Sequence, residues 1–272
     1  MFKLYDPHQH VIFSHIPKCA GSSFIRLLRQ WFGKEYLKLN QDEKQDILLP
    51  RFKLKDEQGN FKPGIKVVHG HFDHGRRYGL PYFYPEVKQY FTIFRDPFDI
   101  VVSMYFFCKG RSKEGRFWYR GEQVNILDEY PTLESYLADY PYWLFNHLPQ
   151  DMTLSNFRQK IRRHFVYIGI QEDLRGSIRT LAKILGKSYV ELPRFNESIY
   201  DEYIPNDLRE RFYTDYPLLK AIYDFAKDHY QSSEIVSQQE YTLPNGKLPT
   251  RTRTAPPIED QALKDQQPKQ SP

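Results

Sequence analysis

The chain has 272 residues, 40% of them hydrophobic, and a formal net charge of +5. That is enough apolar material for a packed core, and the mildly basic balance suits an anionic ligand or simply a solvated mixture of charges. Two cysteines, Cys19 and Cys108, exclude a disulfide framework. No apolar run is long enough to span a membrane, and Met1 to Pro7 lack the features of a secretory signal, so a cytoplasmic, bacterial-type protein without an anchor is expected.

An apolar run from Val11 to Phe13, a turn with Pro17 and Gly21, and Phe24, Ile25, Leu27, Leu28, Trp31 and Phe32 at helical spacing predict strand, loop and helix. Residues Gln41 to Pro63 are charged and irregular. A second strand is expected over Lys66 to Val68, ahead of the string His69-Gly70-His71-Phe72-Asp73-His74-Gly75, and a third over Tyr90 to Phe94. Asp96 as N-cap and Pro97 as first helical residue then open a helix. The basic, aromatic stretch Lys109 to Arg120 carries two glycines and no clear period, and reads as a loop or lid. A short helix over Thr132 to Tyr140, a fourth strand over His164 to Ile170 and an amphipathic helix over Asp173 to Leu185, stopped by Gly186, come next. The chain is helical again from about Asn206 through His229. The alternation predicts an α/β fold: three layers, a mainly parallel sheet with flanking helices, and a P-loop-like nucleotide-binding first turn. One domain over residues 1–235 and a mobile polar tail over 236–272 are expected, because few apolar residues follow Val236.

Two constellations carry chemistry. In Pro17-Lys18-Cys19-Ala20-Gly21-Ser22-Ser23, a turn between strand and helix offers backbone N–H groups and a helix N-terminus to a phosphate; Lys18 adds a positive charge, and Ser22 and Ser23 add hydroxyls. The lysine comes early, without Gly-Lys-Ser/Thr, which disfavours a metal-assisted kinase. Arg95 ends the third strand and Ser103 follows on the next helix. An arginine fork with a hydroxyl receives a second phosphate if that strand neighbours the first, whereas pairing of Arg95 with Asp96 or Asp99 is the structural alternative.

These residues resemble a known family. Phe13-Ser14-His15-Ile16-Pro17-Lys18-Cys19-Ala20-Gly21-Ser22-Ser23 is similar to the 5′-phosphosulfate loop of carbohydrate sulfotransferases that use 3′-phosphoadenosine 5′-phosphosulfate. Phe94-Arg95-Asp96-Pro97-Phe98-Asp99-Ile100-Val101-Val102-Ser103-Met104-Tyr105 is similar to their 3′-phosphate motif. Tyr167 to Glu172 and Arg194 to Ser198 resemble later family segments, and His69-Gly70-His71 resembles the histidine pair of the uronyl 2-O-sulfotransferase branch. Cys19 stands where the family usually has Thr, and Ala20 where it often has Gly.

The resemblance implies transfer of a sulfuryl group from 3′-phosphoadenosine 5′-phosphosulfate to a hydroxyl by in-line displacement, with no metal required. Lys18 stabilises charge on the leaving oxygen. His71 is the expected general base and His69 orients or replaces it; His74, Asp73 and Glu172 are further candidates, Glu172 more readily structural. On residue type alone, His69, His71 and His74 read as a metal site or, more commonly, as plain hydrogen-bonded loop residues, and the two phosphate motifs reverse that order for His71 only. Arg111, Lys113, Arg116, Trp118 and Tyr119 are the expected acceptor contacts, the cations for carboxylates or sulfates and the rings for sugar faces, against the alternative of a solvated insertion. The expected partner is a hydroxyl-bearing acceptor, taken to be a carbohydrate, with no nucleic acid polymer. A P-loop phosphotransferase and a non-catalytic nucleotide- or glycan-binding module are the alternatives.

Overall fold

Short, wholly buried apolar strands separated by amphipathic helices leave the chain one economical arrangement, a parallel sheet covered on both faces. The computed structural model describes residues 2–39, 41–42, 47–48, 53–113, 118–119, 122–123, 125–139, 142–192 and 204–239. Strand β1 (Val11–Ser14) leads through a tight loop into α1 (Gly21–Phe32) and then the edge strand β2 (Tyr36–Lys38). A two-residue ribbon, β3 (Gln41–Asp42) with β4 (Ile47–Leu48), precedes β5 (Val67–Gly70) and β6 (Tyr90–Phe94). Helix α2 (Pro97–Lys113) follows, then a second ribbon, β7 (Trp118–Tyr119) with β8 (Glu122–Gln123). Helices α3 (Ile126–Glu129), α4 (Leu133–Asp139), α5 (Tyr142–Phe145) and α6 (Phe157–His164) lead to β9 (Phe165–Ile170). Helices α7 (Leu174–Ile184), α8 (Asn206–Asp215) and α9 (Pro217–Gln239) complete the described chain.

Five strands form one sheet in the order β2-β5-β1-β6-β9, every pair parallel. Side chains alternate across it. Phe13 of β1 and its register partner Phe91 of β6 share a face, where Phe24 of α1 stacks on Phe13 at 4.8 Å between ring centroids. Phe94 points the other way and meets Tyr223 of α9. Helices therefore cover both faces, as the alternation predicts. The strand order reverses about β1: the first crossover runs outward to β2, while the step from β5 passes β1 to reach β6. The ends of β1 and β6 thus flank the switch point, where open α/β sheets collect their ligands.

Some boundaries differ from expectation. Lys109 to Lys113 continue α2 and are not part of a loop, because Gly110 faces open space and interrupts no packing. Residues 114–117, 120 and 121 of the expected lid lie outside the described residues. The helical stretch after Asn206 is two helices, broken at Tyr216 (φ −122°, ψ 59°) because Pro217 excludes the helical conformation from the residue before it. Residues 236–239 are the end of α9 and not tail, while 240–272 lie outside the described residues.

Candidate active site

The loop after β1 is built on strained backbone. Lys18 (φ 65°) and Ala20 (φ 55°) both adopt the left-handed region, a conformation that side chains disfavour and that concentrates at ligand sites. Helix α1 begins with no side-chain cap on its first turn, so its leading N–H groups are left for another acceptor. At Gly21 a Cβ would stand 1.8 Å from Cε1 of His15, so only glycine leaves room for that imidazole. Ser22 is exposed and Ser23 buried.

Lys18 is half-buried and reaches across to α2, its Nζ 4.5 Å from the centre of the Phe107 ring. Burial lowers its pKa, and the charge of Arg95 acts in the same direction. Cys19 has no exposed surface, and burial pushes its thiol pKa up. The side chain at the position usually held by Thr is therefore packed into the core and does not point outward. Arg95 follows β6 beside this loop, and Ser103 lies buried on α2. Neither Asp96 nor Asp99 pairs with Arg95, since both are engaged by Arg209.

The end of β5 brings histidines together. His15 stacks on His71 at 4.2 Å and on His69 at 5.3 Å, and His147 stands edge-on to His71 at 6.3 Å. His71 Nδ1 lies 2.9 Å from the backbone oxygen of His15. A carbonyl only accepts, so Nδ1 carries the proton and Nε2 holds the lone pair. Crowding by surrounding protein, then the neighbouring His147, lowers the His71 pKa to about 4, yet the residue is exposed to solvent. His69 is only 1% exposed, with Nδ1 2.8 Å from the Tyr36 hydroxyl and burial holding its pKa near 3. Any influence of His69 on a ligand therefore passes through its neighbours. His74 packs its ring against Tyr82 (5.8 Å), and Asp73 lies 3.8 Å from Arg76. Glu172 accepts the backbone N–H of Asp96 at 2.8 Å, a structural role.

Sequence reasoning did not single out His147. It is buried, its Nδ1 lies 2.9 Å from the Phe72 carbonyl oxygen, and its pKa is lowered by burial to about 4. No local motif marks it; only the fold carries it beside His71. Of the expected acceptor contacts, Arg111 lies on α2 with its guanidinium 5.5 Å from the Phe107 ring centre. Arg116 and the side chains of Lys113, Trp118 and Tyr119 lie outside the described residues, as does the segment Arg194 to Ser198. Among the described residues, no cluster of His, Cys, Asp or Glu is arranged to hold a metal ion, and no helix is long and apolar enough to cross a membrane.

A parallel α/β sheet with a phosphate-type loop at its switch point defines the class. The chain belongs to the sulfotransferase family, whose model matches residues 3–230. Among solved structures it is similar to mouse sulfotransferase SULT7A1 complexed with PAP, at 12% identity and a TM-score of 0.39, over 78% of this chain and 64% of that one. No curated protein matches the chain.

Proposed function

We propose that the protein is a sulfotransferase that binds 3′-phosphoadenosine 5′-phosphosulfate and passes its sulfuryl group to a hydroxyl of a carbohydrate acceptor. The observation behind this reading is the convergence of Lys18, Arg95 and His71 at the ends of three adjacent strands, β1, β6 and β5. In this reading the Lys18 loop holds the 5′ end of the donor, while Arg95 and Ser103 hold the 3′-phosphate.

The acceptor oxygen forms a bond to sulfur as the bond from sulfur to the 5′-phosphate oxygen breaks, and the hydroxyl proton passes to Nε2 of His71. Lys18 meets the charge that develops on the leaving oxygen, a task for which preorganised donors are each worth roughly 2.7–4 kcal/mol. A neutral imidazole is available at neutral pH because the His71 pKa lies far below 7. In this reading His69 and His147 position the stack, and Arg111 on α2 meets an acidic acceptor.

The deciding experiment is calorimetric titration with 3′-phosphoadenosine 5′-phosphate beside adenosine diphosphate and an Arg95→Ala control, followed by transfer of labelled sulfate to a panel of glycans. Tight binding that needs both the 3′-phosphate and Arg95 supports the reading. Equal binding of adenosine diphosphate returns the phosphotransferase alternative, and donor binding without turnover on any acceptor returns the binding module.

A further inference from the structure

The geometry points to Arg209 as a positioning residue that keeps Arg95 free: it occupies Asp96 and Asp99, the two carboxylates that would otherwise neutralise the arginine proposed to take the 3′-phosphate. This inference rests on the donor-site reading above. Asp96 directly follows Arg95 in the chain, and Asp99 lies on the first turn of α2. An arginine flanked by two acids ordinarily turns to them. Here both acids are turned away. Arg209, from α8, places Nη1 2.8 Å from Oδ1 of Asp96 and Nη2 on Oδ1 of Asp99, and its guanidinium lies over the Phe98 ring at 4.5 Å.

The clamp is built in depth. The Tyr213 hydroxyl, one turn further along α8, donates to Oδ1 of Asp96 at 2.7 Å, and the Asp99 backbone N–H reaches the same oxygen at 3.3 Å. Asp96 is 17% exposed, so its carboxylate is drawn inward to α8 and the helix start. No ion pair of Arg95 with a carboxylate occurs among the described residues, although Asp96 and Asp99 are its near neighbours. Charge is thus sorted into two sets: Arg209 with Asp96 and Asp99 between α2 and α8, and Arg95 with Lys18 beside the switch point, where no carboxylate pairs with either cation among the described residues. An anion arriving there does not first have to displace a carboxylate.

The test compares binding of 3′-phosphoadenosine 5′-phosphate with that of adenosine 5′-monophosphate, which lacks the 3′-phosphate. Wild-type protein and Arg95→Ala come first; if the 3′-phosphate and Arg95 make no difference, the donor-site reading fails before this inference is reached. Given that dependence, Arg209→Gln releases Asp96 and Asp99 toward Arg95 and should weaken the bisphosphate about tenfold, leaving the monophosphate within about twofold. Adding Asp96→Asn and Asp99→Asn, which remove the competing charges and keep a capping side chain, should restore affinity to within about threefold of wild type. A merely structural role predicts the reverse, a further loss with each substitution. An Arg209→Gln variant that binds the bisphosphate as wild type does, or a triple variant weaker than the single one, overturns the inference. Should Arg209→Gln not fold, the triple variant decides alone: near-wild-type affinity supports it and a tenfold loss overturns it.

Discussion

Replacing Gly21 with alanine puts the loop geometry to its sharpest test, because two arguments give opposite signs. In most helices Gly→Ala stabilises by about 0.5–1 kcal/mol through the unfolded chain and helix propensity. The structure predicts destabilisation. The new Cβ would lie 1.8 Å from Cε1 and 2.0 Å from Nε2 of His15, where ordinary contact between heavy atoms is about 3.5–4.0 Å. The imidazole must therefore retreat by more than about 1 Å, yet it is stacked between His71 at 4.2 Å and His69 at 5.3 Å. Overpacking of this kind costs about 1–3 kcal/mol, so Tm should fall by roughly 2–5 °C for a chain of this size. Turnover should fall as well, since the ring that moves carries His71 with it. Thermal and urea unfolding of Gly21→Ala, His15→Ala and the double variant would close the cycle, and the double variant should recover stability relative to Gly21→Ala alone, with a coupling above about 1 kcal/mol. A Gly21→Ala protein as stable as wild type, or strictly additive effects, would refute the steric argument.

Other outcomes follow from the same geometry. Phe107→Leu should lower kcat by about 3- to 10-fold while Phe107→Tyr stays near wild type, because a ring face over Lys18 Nζ contributes about 0.5–2 kcal/mol and an aliphatic side chain does not replace it; steady-state kinetics of the three proteins decide. Stability should decline with acid as the pH drops from about 6.5 through 4. His147 and His69, whose pKa values burial holds near 4 and 3, stay neutral in the folded chain while the unfolded chain takes up protons at the ordinary 6.5; urea midpoints independent of pH between 8 and 5 would contradict this. Cys19 and Cys108 are both buried, so an aromatic disulfide reagent should find less than one reactive thiol in native protein and two after denaturation.

Much of the scaffold was readable because local chemistry announces it. Asp96-Pro97 marks the start of α2 through cap and fixed φ, Asp173 caps α7 from its side chain to the Gly176 N–H, and Gly186 ends the helical segment at φ 63°. Strand β2 leaves no such trace: the partly buried Tyr36 and Leu37 and the exposed Lys38, at a sheet edge, show neither alternation nor an apolar run. The break before Pro217 is legible in the restriction that proline imposes on Tyr216, but it is masked by the apolar residues that continue on both sides. Site residues divide the same way. Lys18 and Arg95 sit in local motifs, whereas His147 reaches His71, and Arg209 reaches Asp96 and Asp99, only through tertiary structure, which no window along the chain samples.

The placement of β1 in the middle of the sheet has a consequence for how the protein is made. This strand, buried along its whole length, is translated before either of its partner strands, which begin at Val67 on one side and Tyr90 on the other. Until those are synthesised both of its edges stay open, a state that invites pairing with other nascent chains and that slow, long-range parallel closure prolongs. Arg209 is translated later still, so the ion pairs between α2 and α8 form only after every strand of the sheet exists.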